Sequence, residues 1–161
     1  MIDRTQAAVE ILHSFNYIEA IWNIVFFTLT GRGNMYRISI ETHFDSAHLL
    51  NGYPGACGRL HGHRWRIQVE VETGQLDPIG ISVDFKELSA LTDSILERFD
   101  HQYLNDVPPF DKVNPTAENI SRYLFEELAR LLPSGVRMGR VTVWESDKYA
   151  VSYAPEPASG A

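Results

Sequence analysis

The stretch from His43 to His63, HFDSAHLLNGYPGACGRLHGH, concentrates the reactive side chains of this chain. It carries His48, then Cys57, the only cysteine, then His61 and His63 on either side of one glycine. Neutral imidazoles suit Zn²⁺, and three protein ligands leave a tetrahedral ion one open position, which a catalytic metal needs. A closed structural site would use four ligands, usually including several thiolates.

Spacing supports this chemistry. His61 and His63 stand two apart at the start of a predicted strand, and side chains at i and i+2 leave a strand on one face. They share parity with Trp65 and Ile67, so both imidazoles are expected to point inward or into a cleft. His48 follows an earlier strand, and hairpin-like pairing can bring it beside them. His43 competes for the place of third ligand but has the opposite parity to Phe44 and ranks lower. His13 lies in an N-terminal extension, apart from this group. Read blandly, these are polar residues of a loop and a strand end. That reading suits a lone histidine better than H-x-H with a third imidazole and a thiol nearby.

Cys57 lies between Gly55, Ala56, Gly58 and Arg59, which is loop composition. A nearby cation or metal would lower its pKa and supply a thiolate. Spacing leaves two roles open, a fourth zinc ligand or a proton-abstracting base. Asp100-His101 closes a predicted helix, where a histidine is favourable for the helix dipole alone, and where a local turn also lets the carboxylate orient the imidazole. Glu145 shares strand parity with Val141 and Val143 and is expected to face the apolar side. A buried carboxylate needs a partner. Arg or Lys would serve, as would an N–C–N edge offering two parallel N–H donors, such as pterins and guanines carry.

The elements that must position these groups can be read in order. Tyr36 to Thr42 alternates as a half-buried strand, and Arg64 to Thr73 alternates more clearly. Leu49 to Leu60 joins them and holds Cys57. Asp84 and Glu87 form a D-x-x-E capping box ahead of Leu88, Leu91, Ile95 and Phe99 at helical spacing. A second helix opens at Thr116 after Asn114-Pro115, buries Ile120, Leu124, Leu128 and Leu131, and stops at Pro133. Strands at Arg140 to Glu145 and Tyr149 to Tyr153 complete the order β-β-α-α-β-β. The expected class is α+β, with a four-stranded antiparallel sheet and two helices on one face.

The 161 residues suffice for one domain with a hydrophobic core. A formal charge of −7 argues against a nucleic-acid surface, and one cysteine excludes an internal disulfide framework and fits a reducing cytoplasm. Residues 1–34 read as a separate extension. Ile18 to Thr30 is apolar but too short to span a membrane, and Glu19 and Asn23 interrupt it. The segment reads as a helix packing on the domain or a partner, as a poorly ordered extension, or as sequence upstream of a start at Met35. The domain then runs over 35–155, and 156–161 reads as a disordered tail.

Cys57-Gly-Arg-Leu-His61-Gly-His63, preceded by Phe44-Asp-Ser-Ala-His48, resembles the 6-pyruvoyltetrahydropterin synthase superfamily. Asp100-His101-Gln-Tyr-Leu-Asn105, Asn114-Pro-Thr-Ala-Glu-Asn119 and Val143-Trp-Glu145 agree with it in order and spacing. The four-residue step from Cys57 to His61 is similar to the bacterial 6-carboxytetrahydropterin synthase branch of queuosine biosynthesis. The resemblance covers Met35 to about Pro155. It implies a tunnelling fold assembled into ring-shaped homo-oligomers, commonly hexamers, with active sites at subunit interfaces. It implies zinc on His48, His61 and His63, Cys57 as base, and Asp100 with His101 reaching in from a neighbour. It further implies Glu145 as pterin anchor, Thr116 and Glu118 near the pterin, and 7,8-dihydroneopterin triphosphate as substrate. Arg59, Arg64, Arg66 and Lys112 are candidates for the triphosphate. The pyruvoyl synthase, or another pterin side-chain lyase, fits the same residues. A zinc hydrolase would leave Cys57 and Glu145 without a task, and a non-catalytic pterin- or purine-binding ring would bind without turnover. Trp65 departs from the family's usual Tyr or Phe, and the extension has no counterpart.

Overall fold

The structure, a computed structural model, describes residues 34–156. The expectations for the extension and the tail therefore lie outside the described residues, apart from Asn34 and Glu156.

Two long strands, β1 (Tyr36–His48) and β2 (His61–Thr73), form an antiparallel pair in unbroken register from Tyr36 opposite Thr73 to His48 opposite His61. Period-2 patterning explains the pair. Ile38, Phe44, Ser46 and His48 of β1 and Trp65, Ile67, Val69 and Val71 of β2 are buried on one face. Arg37, Glu41, His43, Arg64 and Arg66 lie on the other and are exposed. β1 continues six residues past the Thr42 expected from alternation, because Asp45 and Ser46 obey the same parity although neither favours a strand by propensity.

Helix α1 (Phe85–Leu96) opens on Asp84, whose carboxylate accepts from the Lys86 backbone N–H at 2.7 Å. That is an N-cap bond to the second helical residue, in place of the bond to Glu87 N–H that the expected box would make. A two-residue strand β3 (Gln102–Tyr103) then pairs in parallel with Ser46 and Ala47. Helix α2 (Ala117–Leu131) is capped by Thr116, whose side chain accepts from Asn119 N–H. Strands β4 (Arg137–Ser146) and β5 (Tyr149–Tyr153) complete the sheet in the order β3-β1-β2-β4-β5. The four long strands are antiparallel as expected, and β3 is an addition. It is too short for any periodic signal and forms only because the chain returns alongside β1.

The helices cover the apolar face. Leu88, Ile95 and Leu96 of α1 and Ile120, Leu124 and Leu128 of α2 join the strand residues in one core. The opposite face is polar. Arg140 bridges to Glu70, Arg66 stacks over Trp144 at 4.1 Å, and buried Glu72 is held by Arg37 at 2.8 Å and Arg137 at 2.6 Å. The functional side chains gather where the apolar face runs out, at the His48–His61 end of the β1–β2 pair.

Candidate metal centre and adjoining cleft

The register places His48 directly opposite His61, and Ser46 opposite His63, so three imidazoles share one face at one end of the sheet. The ring centroids of His48 lie 4.5 Å from His61 and 5.2 Å from His63. Trp65, 0 % exposed, closes the floor, edge-on to His48 at 4.9 Å and to His63 at 5.3 Å.

Backbone carbonyls set the tautomers. His48 Nδ1 donates to Pro115 O at 2.9 Å, and His61 Nδ1 donates to Arg59 O at 2.7 Å. Each ring therefore presents a bare Nε2, the arrangement that metal-ligating histidines use. These two nitrogens face each other at 3.1 Å. Two lone pairs at that range repel unless a proton or a cation lies between them. Ligands about 2.0–2.1 Å from a tetrahedral ion would stand about 3.3–3.4 Å apart. Among the described residues, His63 Nε2 is buried without a hydrogen-bond partner, although Glu145 Oε1 is 3.2 Å away. Burial lowers the pKa of His48, further lowered by His61 and His63 and opposed by the Pro115 carbonyl. Burial also lowers that of His63, against the attraction of Glu145. Both rings are thus held neutral, as ligation requires. The residues present fit a divalent metal.

Glu145 joins them. One donor atom from each of His48, His61, His63 and Glu145 lies within 4.8 Å of the others. Parity aimed Glu145 at this face, and a register shift between Trp144 and Ser146 leaves it at a bulge. Beside it opens a cleft of about 360 Å³ lined by His48, Leu50, Thr116, Glu118, Glu145 and Tyr149. That is within the range of about 300–1,000 Å³ usual for small-molecule sites.

Cys57 does not enter the histidine group. It sits half-buried in a 3-10 turn, Ala56–Gly58, whose loop is tied down by Leu50 N–H donating to Cys57 O at 2.8 Å. Glu145, and not Cys57, supplies the fourth donor atom of the group that could hold an ion. Asp100 and His101 form a second, separate cluster with Asp45. His101 adopts φ 56°, a left-handed conformation. This conformation turns its ring back on Asp100, with Nδ1 2.8 Å from Oδ2. Asp100 Oδ1 accepts from Asp45 N–H at 2.9 Å, and His101 N–H donates to Asp45 O at 2.6 Å. These contacts, the Asp45 N–H first and the imidazole second, hold the Asp100 carboxyl below its ordinary range. The His101 side chain is 77 % exposed, beside a depression that His63, Arg64 and Gln102 also line.

Of the candidate cations, Arg64 is committed to Asp45 through two bonds of 3.0 and 2.9 Å, and Arg66 to Trp144. Arg59 and Lys112 make no ion pair among the described residues.

Two residues that the sequence motifs contain, but to which they give no role, support the centre. Asn105 accepts from Leu49 N–H and donates to Leu49 O, both at 3.0 Å. Asn114 does the same for Asn51, at 2.8 and 3.0 Å. Each side-chain amide replaces a missing sheet neighbour for the segment that leaves His48. Their places in those motifs mark them, but neither motif names a partner 56 or 63 positions away.

Comparison with known proteins places this geometry. Residues 37–156 match the family model for 6-pyruvoyl tetrahydropterin synthase. A protein of Haemophilus influenzae named 6-carboxy-5,6,7,8-tetrahydropterin synthase is 31 % identical over 135 residues, covering 70 % of this chain and 94 % of its own length. A Pyrococcus furiosus protein named dihydroneopterin monophosphate aldolase is 32 % identical over 115 residues, covering 71 % and 94 %. The structure of Caenorhabditis elegans 6-pyruvoyl tetrahydropterin synthase superposes with a TM-score of 0.68 at 27 % identity, covering 78 % of this chain and 99 % of that one.

Proposed function

The chain belongs to the 6-pyruvoyl tetrahydropterin synthase family, and from that premise we propose that it is a zinc-dependent 6-carboxy-5,6,7,8-tetrahydropterin synthase. It would convert 7,8-dihydroneopterin triphosphate and water to the carboxypterin, releasing triphosphate and acetaldehyde, in the cytoplasmic synthesis of 7-deazapurines such as queuosine. The observation that carries the reading is the convergence of His48, His61 and His63 with Glu145 in one group of donor atoms, at the edge of a cleft that His48 and Glu145 line.

His48, His61 and His63 would hold the zinc, which supplies Lewis-acid stabilisation of negative charge on the pterin side-chain oxygens. Glu145 grips the N–C–N edge of the ring with two parallel hydrogen bonds. Thr116 and Glu118 border the ring, with the Thr116 side chain already serving as a helix cap. Cys57, as thiolate, takes a proton from the side chain. His101 moves the second proton, and Asp100 fixes its tautomer by accepting from Nδ1. The exposure of His101 and its separation from the histidine group fit a role at a neighbouring subunit's centre, in a homo-oligomer of the hexameric kind. Arg59 and Lys112, unlike Arg64 and Arg66, are free to meet the triphosphate. A net charge of −7 does not suit nucleic acid as partner. No helix among the described residues is long and apolar enough to cross a membrane.

A pyruvoyl synthase or a side-chain aldolase would use the same residues, and the Pyrococcus relative's name keeps the second in view. The product separates them. Zinc-loaded protein incubated with 7,8-dihydroneopterin triphosphate is expected to yield 6-carboxytetrahydropterin and acetaldehyde by mass spectrometry. A pyruvoyl or hydroxymethyl pterin would reassign the reaction within the family, and an unconsumed substrate would overturn it.

A further inference from the structure

Glu145 is closer to the imidazoles than an anchor for an organic ring needs to be. Its Oε1 lies 3.2 Å from His63 Nε2 and 3.6 Å from His48 Nε2. Donors of one tetrahedral ion at about 2.0–2.2 Å stand about 3.3–3.6 Å apart. His63 can meet this oxygen through an Nε2–H, but the Nε2 atoms of His48 and His61 are bare because Nδ1 of each donates to a backbone carbonyl, and a cation among the four would satisfy them together. The bulge between Trp144 and Ser146 takes Glu145 out of regular pairing with β5, and bulges characteristically re-aim a side chain. The same carboxylate also lines the cleft with Thr116, Glu118 and Tyr149. It therefore borders two sites at once. It cannot serve both in full, because a parallel grip on an N–C–N edge occupies both oxygens.

We propose that Glu145 is an exchangeable fourth ligand. In the pterin-free protein its carboxylate closes the coordination shell begun by His48, His61 and His63. On arrival of the ring it moves to the N–C–N edge and vacates that position for the pterin side chain. The exchange rests on the pterin reading above; the ligand role does not. One consequence is antagonism between ring and ion, and it is reciprocal. A pterin lacking the side chain weakens metal binding by the factor by which metal weakens its own binding.

The test uses the full chain, a chromophoric chelator to measure zinc affinity, and 7,8-dihydropterin, which has no side chain to offer the ion. Glu145→Gln is expected to weaken zinc binding by about 10–100-fold or more, since partners one bond beyond the ligands already act in that range. In the native protein, saturating 7,8-dihydropterin is expected to weaken zinc binding and to change the visible spectrum of the cobalt form. Wild-type zinc affinity in Glu145→Gln overturns the ligand role. A dihydropterin that binds without altering the cobalt spectrum overturns the exchange. A dihydropterin that does not bind at all removes the exchange together with the pterin reading, while the Glu145→Gln affinity still decides the ligand role. If Glu145→Gln fails to fold, Glu145→Asp, whose carboxylate is one methylene shorter, takes its place, and wild-type zinc affinity in that variant overturns the ligand role.

Discussion

Replacing Trp65 by Phe sets two effects of similar size against each other. Trp65 is fully buried, stacked on Phe44 with ring centroids 6.2 Å apart, and edge-on to His48 and His63. Phe keeps the stacking ring and removes about three heavy atoms. At about 0.8 kcal/mol per buried methylene, this loses about 2 kcal/mol. The indole Nε1, however, is buried without a hydrogen-bond partner among the described residues. An unsatisfied buried donor costs about 1–3 kcal/mol, and Phe abolishes it. The two nearly cancel, so Trp65→Phe is expected within about 1 kcal/mol of the native protein. Trp65→Ala, with no such offset for the rest of the ring, should lose about 3–5 kcal/mol. Urea unfolding followed by circular dichroism, with metal chelated so that binding does not mask the difference, measures both. With a slope of about 1–3 kcal/mol per M, the Phe variant's midpoint should move by less than about 1 M. A Phe variant as unstable as the Ala variant would refute the reasoning, because it would mean that the indole N–H is satisfied.

The thiol and its loop give two further tests. Cys57→Ala should retain stoichiometric zinc, since Cys57 is outside the donor group, and lose turnover by about 10²–10⁴-fold as a proton-transfer residue does; full turnover with zinc bound sinks the base role. Gly58→Ala would put a Cβ 2.3 Å from the Tyr53 carbonyl oxygen, a backbone atom that cannot rotate away. Turnover should fall while the zinc affinity of the three histidines is kept, and a variant with native turnover would show that the turn is not needed to place Cys57. The metal-free protein should also depend on pH. His48 and His63 titrate below the ordinary 6.5 because burial disfavours the imidazolium. Below about 6.5 the unfolded chain therefore binds protons that the folded chain refuses, and stability is lost as pH falls from there through the lowered folded values. Above 6.5 the rings are neutral in both states and contribute nothing to the slope. A urea midpoint that is equal or higher at about pH 5.5 than at about pH 7.5 would contradict this.

Much of the centre is written locally. The spacing of His61, His63, Trp65 and Ile67 assigns both imidazoles to the core face, because a strand alternates whatever its partner. The same rule turns Glu145 inward with Val141 and Val143. Asp84 and Thr116 announce helix starts, because a capping side chain bonds to an N–H two or three residues on. The helical stripes of Leu88, Ile95, Ile120, Leu124 and Leu128 mark the core in the same local way, whereas Leu131, read as buried, lies 47 % exposed at the helix end.

What joins these pieces depends on contacts between distant residues, and no local period encodes them. Only the register of β1 on β2 sets His48 opposite His61, and only the return of the chain before α2 brings the Pro115 carbonyl to the His48 ring. The Asn105 and Asn114 clamps, the short β3, and the bulge that carries Glu145 to the histidines arise in the same way. The sequence by itself determined the face each reactive side chain takes, because neighbouring residues govern backbone alternation and helix capping. Tertiary structure decided which of those side chains meet, drawing Glu145 into the imidazole group and leaving Cys57 and His101 outside it, because that depends on strand register and loop closure across the whole domain.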